Sequence, residues 1–205
     1  MTLLQDFIKR CFDIIVSLTA LIVLSPVLLL IAVAIKLTSI GPVMFYQERL
    51  CRGAAEFTLF KFRTMIVDAP DLRNSDGSTF NAANDPRVTS VGRILRSTSL
   101  DELPQLLNVL LGSMSLVGPR PDQVDQEEFY VGDEWKKNLV KPGITGLAQI
   151  NGRNAISWAE RKQLDLEYVE RQSLGLDLEI LLKTVPYVLN RGDVYSEQVS
   201  EGGAQ

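Results

Sequence analysis

The chain has 205 residues, with 21 Lys+Arg against 25 Asp+Glu for a net charge of −4, no histidine and two cysteines. The missing histidine excludes Ser-His-Asp and Cys-His nucleophile pairs and histidine zinc sites, and two cysteines cannot build a disulfide framework. Mild acidity offers no case for nucleic-acid binding, while 46 % apolar residues is high for a soluble chain and points to a lipid-associated segment.

That segment is residues 14 to 35, IIVSLTALIVLSPVLLLIAVAI, long enough for a bilayer-crossing helix. Pro26 lacks an N–H and pushes Ser25 away from helical angles, so a kink or break is expected there. Lys9 and Arg10 precede the run, and Lys36, Arg49, Arg52, Lys61 and Arg63 follow it, so both flanks look cytoplasmic. Two readings stand at this point: a kinked helix that spans, and a re-entrant helix that bends at Ser25-Pro26 and leaves by the face it entered. A cleaved signal peptide is disfavoured by the length of the run and by Asp13 at its start.

Two β-rich runs at about 43 to 48 and 56 to 62 flank a Gly-containing turn and read as a hairpin. Residues 66 to 86 are polar and aperiodic, a surface loop. Helical patterns follow at about 88 to 97 and 102 to 111, then a Gly/Pro-rich passage from Gly112 to Pro121. Further helical patterns lie near 123 to 138, 156 to 171 and 176 to 190. The last is apolar enough for a core or an interfacial helix. The tail from Gly192 to Gln205 is polar and expected to be disordered. The organisation so read is a membrane helix over 1–36, a catalytic domain over 37–191 and a tail over 192–205.

The densest chemistry is in residues 84 to 121, where Arg87, Arg93, Arg96 and Arg120 accompany the adjacent acids Asp101 and Glu102. Ser99-Leu100-Asp101-Glu102 fits a capping box, but with Ser99 as cap, Pro104 would fall where a helix needs its N–H. The helix is therefore expected to start at Leu100 or Asp101. Acids on an opening turn among arginines admit either a structural salt-bridge cluster or phosphoryl transfer with Mg²⁺ between carboxylate and phosphate. Aspartate, ionised at neutral pH, needs no base to act as a nucleophile. There is no G-x-x-x-x-G-K-[ST] loop, no G-x-G-x-x-G turn and no D-x-D sequence.

KRCFD, the apolar run with Ser25-Pro26, GPVMFYQERLCRG, FKFRTM, RSTSLDELPQL, MSLVGPRP, KPGITGLAQINGRN and LDLEYV stand in one colinear order. Over about residues 7 to 190 this order resembles the bacterial sugar transferase family, the monotopic phosphoglycosyl transferases, in their minimal catalytic form. The resemblance implies a mainly helical α+β fold with a re-entrant N-terminal membrane helix broken at Ser25-Pro26, interfacial amphipathic helices and a small β-hairpin. It places the enzyme on the cytoplasmic face of the bacterial inner membrane. The implied reaction moves a sugar 1-phosphate from a UDP-sugar to a polyprenyl phosphate such as undecaprenyl phosphate, releasing UMP, as the first membrane step of glycan assembly.

By motif, Asp101 is the implied nucleophile forming a covalent phosphosugar intermediate, and Glu102 the implied Mg²⁺ ligand. Lys61, Arg63, Arg96 and Arg120 are implied substrate contacts, and Asp165 matches a further acidic position of the site. Implied partners are the UDP-sugar, the lipid phosphate and membrane lipids, without nucleic acid; a homodimer is left open. Departures from the family pattern are Cys51 at a hairpin glycine and Leu147 where Trp is frequent. Rival readings are a glycosyltransferase releasing UDP and an inactive membrane-surface scaffold.

Overall fold

The structure is a computed structural model that describes residues 1–82, 84–152 and 155–189; the tail expectation for 192–205 lies outside them. It is mainly helical α+β, as read from the sequence. Helix α1 runs over Leu3–Thr38, opened by a capping box between Thr2 and Gln5. By length and composition it could cross a membrane. Of the kink or break expected at Ser25-Pro26, the break is corrected: helical hydrogen bonding continues through both residues, with Pro26 inside the helix. Pro26 has no N–H to give the Ile22 carbonyl, and the Ser25 hydroxyl donates to that carbonyl instead at 2.8 Å.

One side of α1 packs on the rest of the molecule. Val16, Ala20 and Leu21 lie against a core of Leu59, Leu106, Val109, Met114, Leu116, Val117, Tyr168, Leu176 and Ile180. Ile31 and Ile35 form a second core with Phe62 and Leu95. The other side leaves Ile15, Leu18, Ile22, Val23, Leu29, Leu30 and Val33 exposed. Polar clamps fasten both ends. Lys9 pairs with Asp177 at 2.6 Å, the buried Asp13 accepts from the Leu116 N–H, and Arg63 grips the C-terminal cap at Ser39 and Ile40.

Strands β1 (Met44–Leu50) and β2 (Glu56–Phe62) form the expected antiparallel hairpin, with Phe45 opposite Lys61 and Arg49 opposite Phe57. Facing residues share a side of the sheet, so Phe45, Gln47, Arg49 and Lys61 line one face. Helix α2 (Ser90–Thr98), capped by Thr89, packs so closely on the end of the hairpin that Gly92 has no room for a side chain. Helix α3 (Gln105–Leu111) ends at Gly112 in the left-handed region.

A pairing not legible in the sequence joins β3 (Ser115–Val117) in parallel to β4 (Gly143–Thr145). The helix expected near 123 to 138 is instead two 3-10 segments, Val124–Phe129 and Glu134–Leu139. Gly132, at φ 59, turns the chain between them. Short α4 (Leu147–Ile150), then α5 (Trp158–Arg171) and α6 (Leu174–Leu189), complete the described chain.

Candidate active site

Asp101 and Glu102 lie on a 3-10 turn, Leu100–Glu102, between α2 and α3. Ser99 does not cap it; it ends α2 at φ 58, reversing the chain, and Pro104 then opens α3. The turn does start at Leu100, as the sequence indicates, but α3 itself waits until Gln105. Both acids are buried, at 8 % and 7 % exposure, on the wall of a cleft of about 630 Å³.

Glu102 joins two cations from different elements. Its Oε1 accepts from the Lys61 ammonium at 3.0 Å and from the Arg120 guanidinium at 2.8 Å. β2 delivers Lys61, and the segment after β3 delivers Arg120. Burial pulls the Lys61 ammonium below its ordinary value against the pull of Glu102, and the nearby Glu102 carboxylate holds Arg120 above its own.

Arg96 comes from the last turn of α2, where its Nε donates to the Thr64 hydroxyl at 3.0 Å, and it too lines the cleft. Arg63 borders the cleft but spends its guanidinium on the Ile40 and Ser39 carbonyls and the Ser39 hydroxyl, so its bonds hold α1 to the domain. Asp165 is not among the cleft-lining residues. It is buried on α5 behind Arg120, at the wall of a side cavity of about 30 Å³, 2.7 Å from the Lys137 ammonium. Burial raises its carboxyl above the ordinary value.

Other residues shape the site without a strong sequence signal. Arg49 donates to the Pro121 carbonyl at 3.1 Å, tying β1 to the segment that carries Arg120. Burial, and next to it Arg120, bring Arg49 down to about 10. Its alternation with Gln47 and Phe45 was the available signal, but only the strand register sets it on the face of Lys61. Asn108, buried on α3, accepts from the Phe60 N–H at 3.0 Å and donates to the Thr58 carbonyl at 2.8 Å. It thereby pairs with β2 as a neighbouring strand would, and holds the acidic turn beside Lys61. Lys137 joins Asp122 at 2.8 Å to Asp165, and the Tyr130 hydroxyl also donates to Asp122. Trp158 and Arg161 of α5 line the cleft opposite the hairpin, and Phe80 and Asn81 of the 66–86 loop contribute another wall.

The cleft thus gathers Arg49, Lys61, Arg96, Arg120 and Arg161 around an acidic pair, an arrangement suited to a polyanion with two phosphates. The model for the family described as bacterial sugar transferase matches residues 4–191. The chain belongs to that family. It is 46 % identical over 182 residues to the uncharacterized sugar transferase EpsL of Bacillus subtilis, covering 89 % of this chain and 87 % of that one. It is 48 % identical over 185 residues to the UDP-glucose:undecaprenyl-phosphate glucose-1-phosphate transferase of Klebsiella pneumoniae, covering 86 % of this chain and 39 % of that one. To the undecaprenyl-phosphate galactose phosphotransferase of Salmonella typhimurium it is 42 % identical over 201 residues, covering 92 % of this chain and 42 % of the relative. It therefore spans most of a short family member and about two fifths of the longer ones. The bacterial sugar transferase motifs quoted above, SLDELPQ, KFRTM and VGPRP, are the segments that meet at the cleft.

Proposed function

We propose that this chain transfers a sugar 1-phosphate from a UDP-sugar to undecaprenyl or a related polyprenyl phosphate, releasing UMP. The observation that carries the reading is the buried Asp101–Glu102 pair in a cleft where Glu102 already bridges Lys61 and Arg120. An ionised aspartate can approach a phosphorus only where cations cancel the repulsion, and this cleft supplies them.

In the first displacement a carboxylate oxygen of Asp101 attacks the β-phosphorus, and the bond to the oxygen bridging the two phosphates breaks. UMP leaves with that electron pair, and an aspartyl phosphosugar remains. In the second, an oxygen of the lipid phosphate attacks the same phosphorus and returns Asp101 to its carboxylate. Lys61, Arg96 and Arg120 hold the phosphates in line. Ping-pong kinetics follow.

Among the described residues no group of three or more acidic, histidine or cysteine side chains could cage a metal alone. Two neighbouring carboxylates fit Mg²⁺ in the mode in which the ion takes a carboxylate or two and completes its shell from phosphates and water. Glu102, with Asp101 beside it, would hold the ion, whose chemistry there is neutralisation of phosphate charge.

The proposal places the domain on the cytoplasmic face of the inner membrane, with α1 re-entrant. Support comes from the clamps at both ends of α1, Lys9 with Asp177 and Arg63 with Ser39, which reach one domain. A helix ending on the opposite face could not keep both. The longer relatives named for undecaprenyl phosphate support the acceptor class.

The test is nucleotide release by the full chain in nanodiscs with Mg²⁺, undecaprenyl phosphate and a panel of UDP-sugars, for wild type and Asp101→Asn. UMP is expected, dependent on lipid and absent in the variant. Acid-quenched wild type incubated with donor alone is expected to gain the mass of a sugar phosphate. UDP as product, or undiminished turnover by Asp101→Asn, would refute the reading.

A further inference from the structure

The far end of α3 carries cations that the reaction does not use. Arg10 of α1 donates to the Val109 carbonyl at 2.6 Å and the Leu110 carbonyl at 2.8 Å, capping α3 and fixing its own guanidinium. At Gly112 the backbone is left-handed, with φ +95. A Cβ built there would stand 3.4 Å from the Arg10 Nη2 and 3.8 Å from the Lys141 Nζ. Two cationic groups therefore stand together beside a helix end that carries no side chain.

Arg52, at the tip of the β1–β2 hairpin, is a third charge within electrostatic reach. Burial lowers the Lys141 ammonium from its ordinary value, repulsion from Arg10 and Arg52 adds to this, and Asp13 opposes them. Asp13 is already engaged by the Leu116 N–H, and among the described residues neither Lys141 nor Arg52 is ion-paired to a carboxylate. The rim is apolar: Leu111, next to Gly112, is 73 % exposed, and Phe7, one turn before Arg10, is 67 % exposed.

We propose that this basic patch binds the phosphodiester headgroup of an anionic glycerophospholipid, at a site separate from the reaction cleft. Three like charges held together by the fold favour an anion between them. Leu111, Phe7 and the exposed apolar side of α1 offer surface to the acyl chains, which a soluble phosphate would not use. A zwitterionic headgroup would bring its own ammonium against the three cations. The acceptor lipid is a poor occupant, because the seven residues of α3 put about 10 Å of helix between this patch and the turn bearing Asp101.

The test equilibrates the full chain in detergent with equimolar phosphatidylglycerol and phosphatidylcholine, then counts retained lipids by native mass spectrometry. Wild type is expected to retain phosphatidylglycerol preferentially. Lys141→Gln and Arg52→Gln are each expected to cut the preference about fivefold, the share of one basic residue at an anionic surface, with melting temperature unchanged. Lys141→Arg is expected to keep it. Equal retention of both lipids by wild type, or a preference surviving in the double variant, overturns the proposal. So does displacement of the lipid by inorganic phosphate at matched ionic strength, which would assign the patch to a soluble anion.

Discussion

Gly92→Ala puts two effects in opposition. In the first turn of α2, where the Thr89 cap takes the Gly92 N–H, the exchange favours the helix by at most about 1 kcal/mol. In the folded protein, however, the new Cβ would stand 1.9 Å from the Thr64 carbonyl oxygen and 2.6 Å from its carbon, where contacts under 3.0 Å are essentially never made. Backbone cannot swing aside as a flexible side chain would, so α2 must retreat by about 1 Å or more, at an overpacking cost of about 1–3 kcal/mol. The Thr89 N–H to Thr64 carbonyl bond at 2.9 Å and the Arg96 to Thr64 bond at 3.0 Å are both at stake. With about 1 kcal/mol for the weakened bonds, the overpacking cost less the helix gain leaves a net loss of about 1–3 kcal/mol, a fall in melting temperature of about 3–9 °C for a domain of this size. Because α2 leads directly into the turn bearing Asp101, activity is expected to fall further, about 100-fold for a 1 Å misplacement. Thermal unfolding in detergent and UMP release measure the two. A variant that melts at or above wild type with kcat/KM within about threefold would refute the reasoning, since the helix-propensity gain would then have won.

Glu102→Gln removes the charge shared by Lys61 and Arg120 and is expected to cost about 2–3 kcal/mol, below the about 3–5 kcal/mol for breaking a fully buried pair because the Arg120 side chain is 35 % exposed and partly screened. Calorimetry at neutral pH checks this. Burial opposes ionisation of Asp122, but Lys137 and the Tyr130 hydroxyl outweigh it and hold its carboxyl below the ordinary 3.8. The stability it contributes is complete above that value and lost as pH falls through the lower folded one. Asp122→Asn is thus expected to be less stable than wild type at pH 7, with the gap closing below about pH 4, as acid denaturation profiles would record. Ser25→Ala strips the exposed Ile22 carbonyl of the hydroxyl donor at a cost of about 0.5–1.5 kcal/mol. Ser25→Ala combined with Pro26→Ala restores a backbone N–H there and is expected to recover the loss in thermal melts.

The site was legible in the sequence to the extent that its residues lie close together in short motifs. Lys61 and the role of each residue were implied only by the resemblance to the bacterial sugar transferase family, whereas Asp101, Glu102, Arg96 and Arg120 stood out as a dense local cluster of charge. The hairpin and most helices were legible for the same reason, through periods of two and 3.6 that one segment expresses alone. What the sequence could not show is geometry set between distant segments. Ser99 fits a capping-box pattern that Pro104 argues against, and it acts as a left-handed C-cap, because α2 must end before the turn can face Lys61. Asp165 reads as a site acid, and α5 sets it against Lys137 behind Arg120, in a side cavity that shares Arg120, Asp122 and Arg161 with the cleft. Arg63 has the same charge as Arg120, yet its bonds clamp α1, and Asn108 reads as an ordinary helix residue while pairing with β2. Residue chemistry and short-range pattern are properties of the chain. Which cation meets which acid depends on strand register and helix packing, contacts between residues tens of positions apart that no local period encodes, and only the tertiary structure decided them.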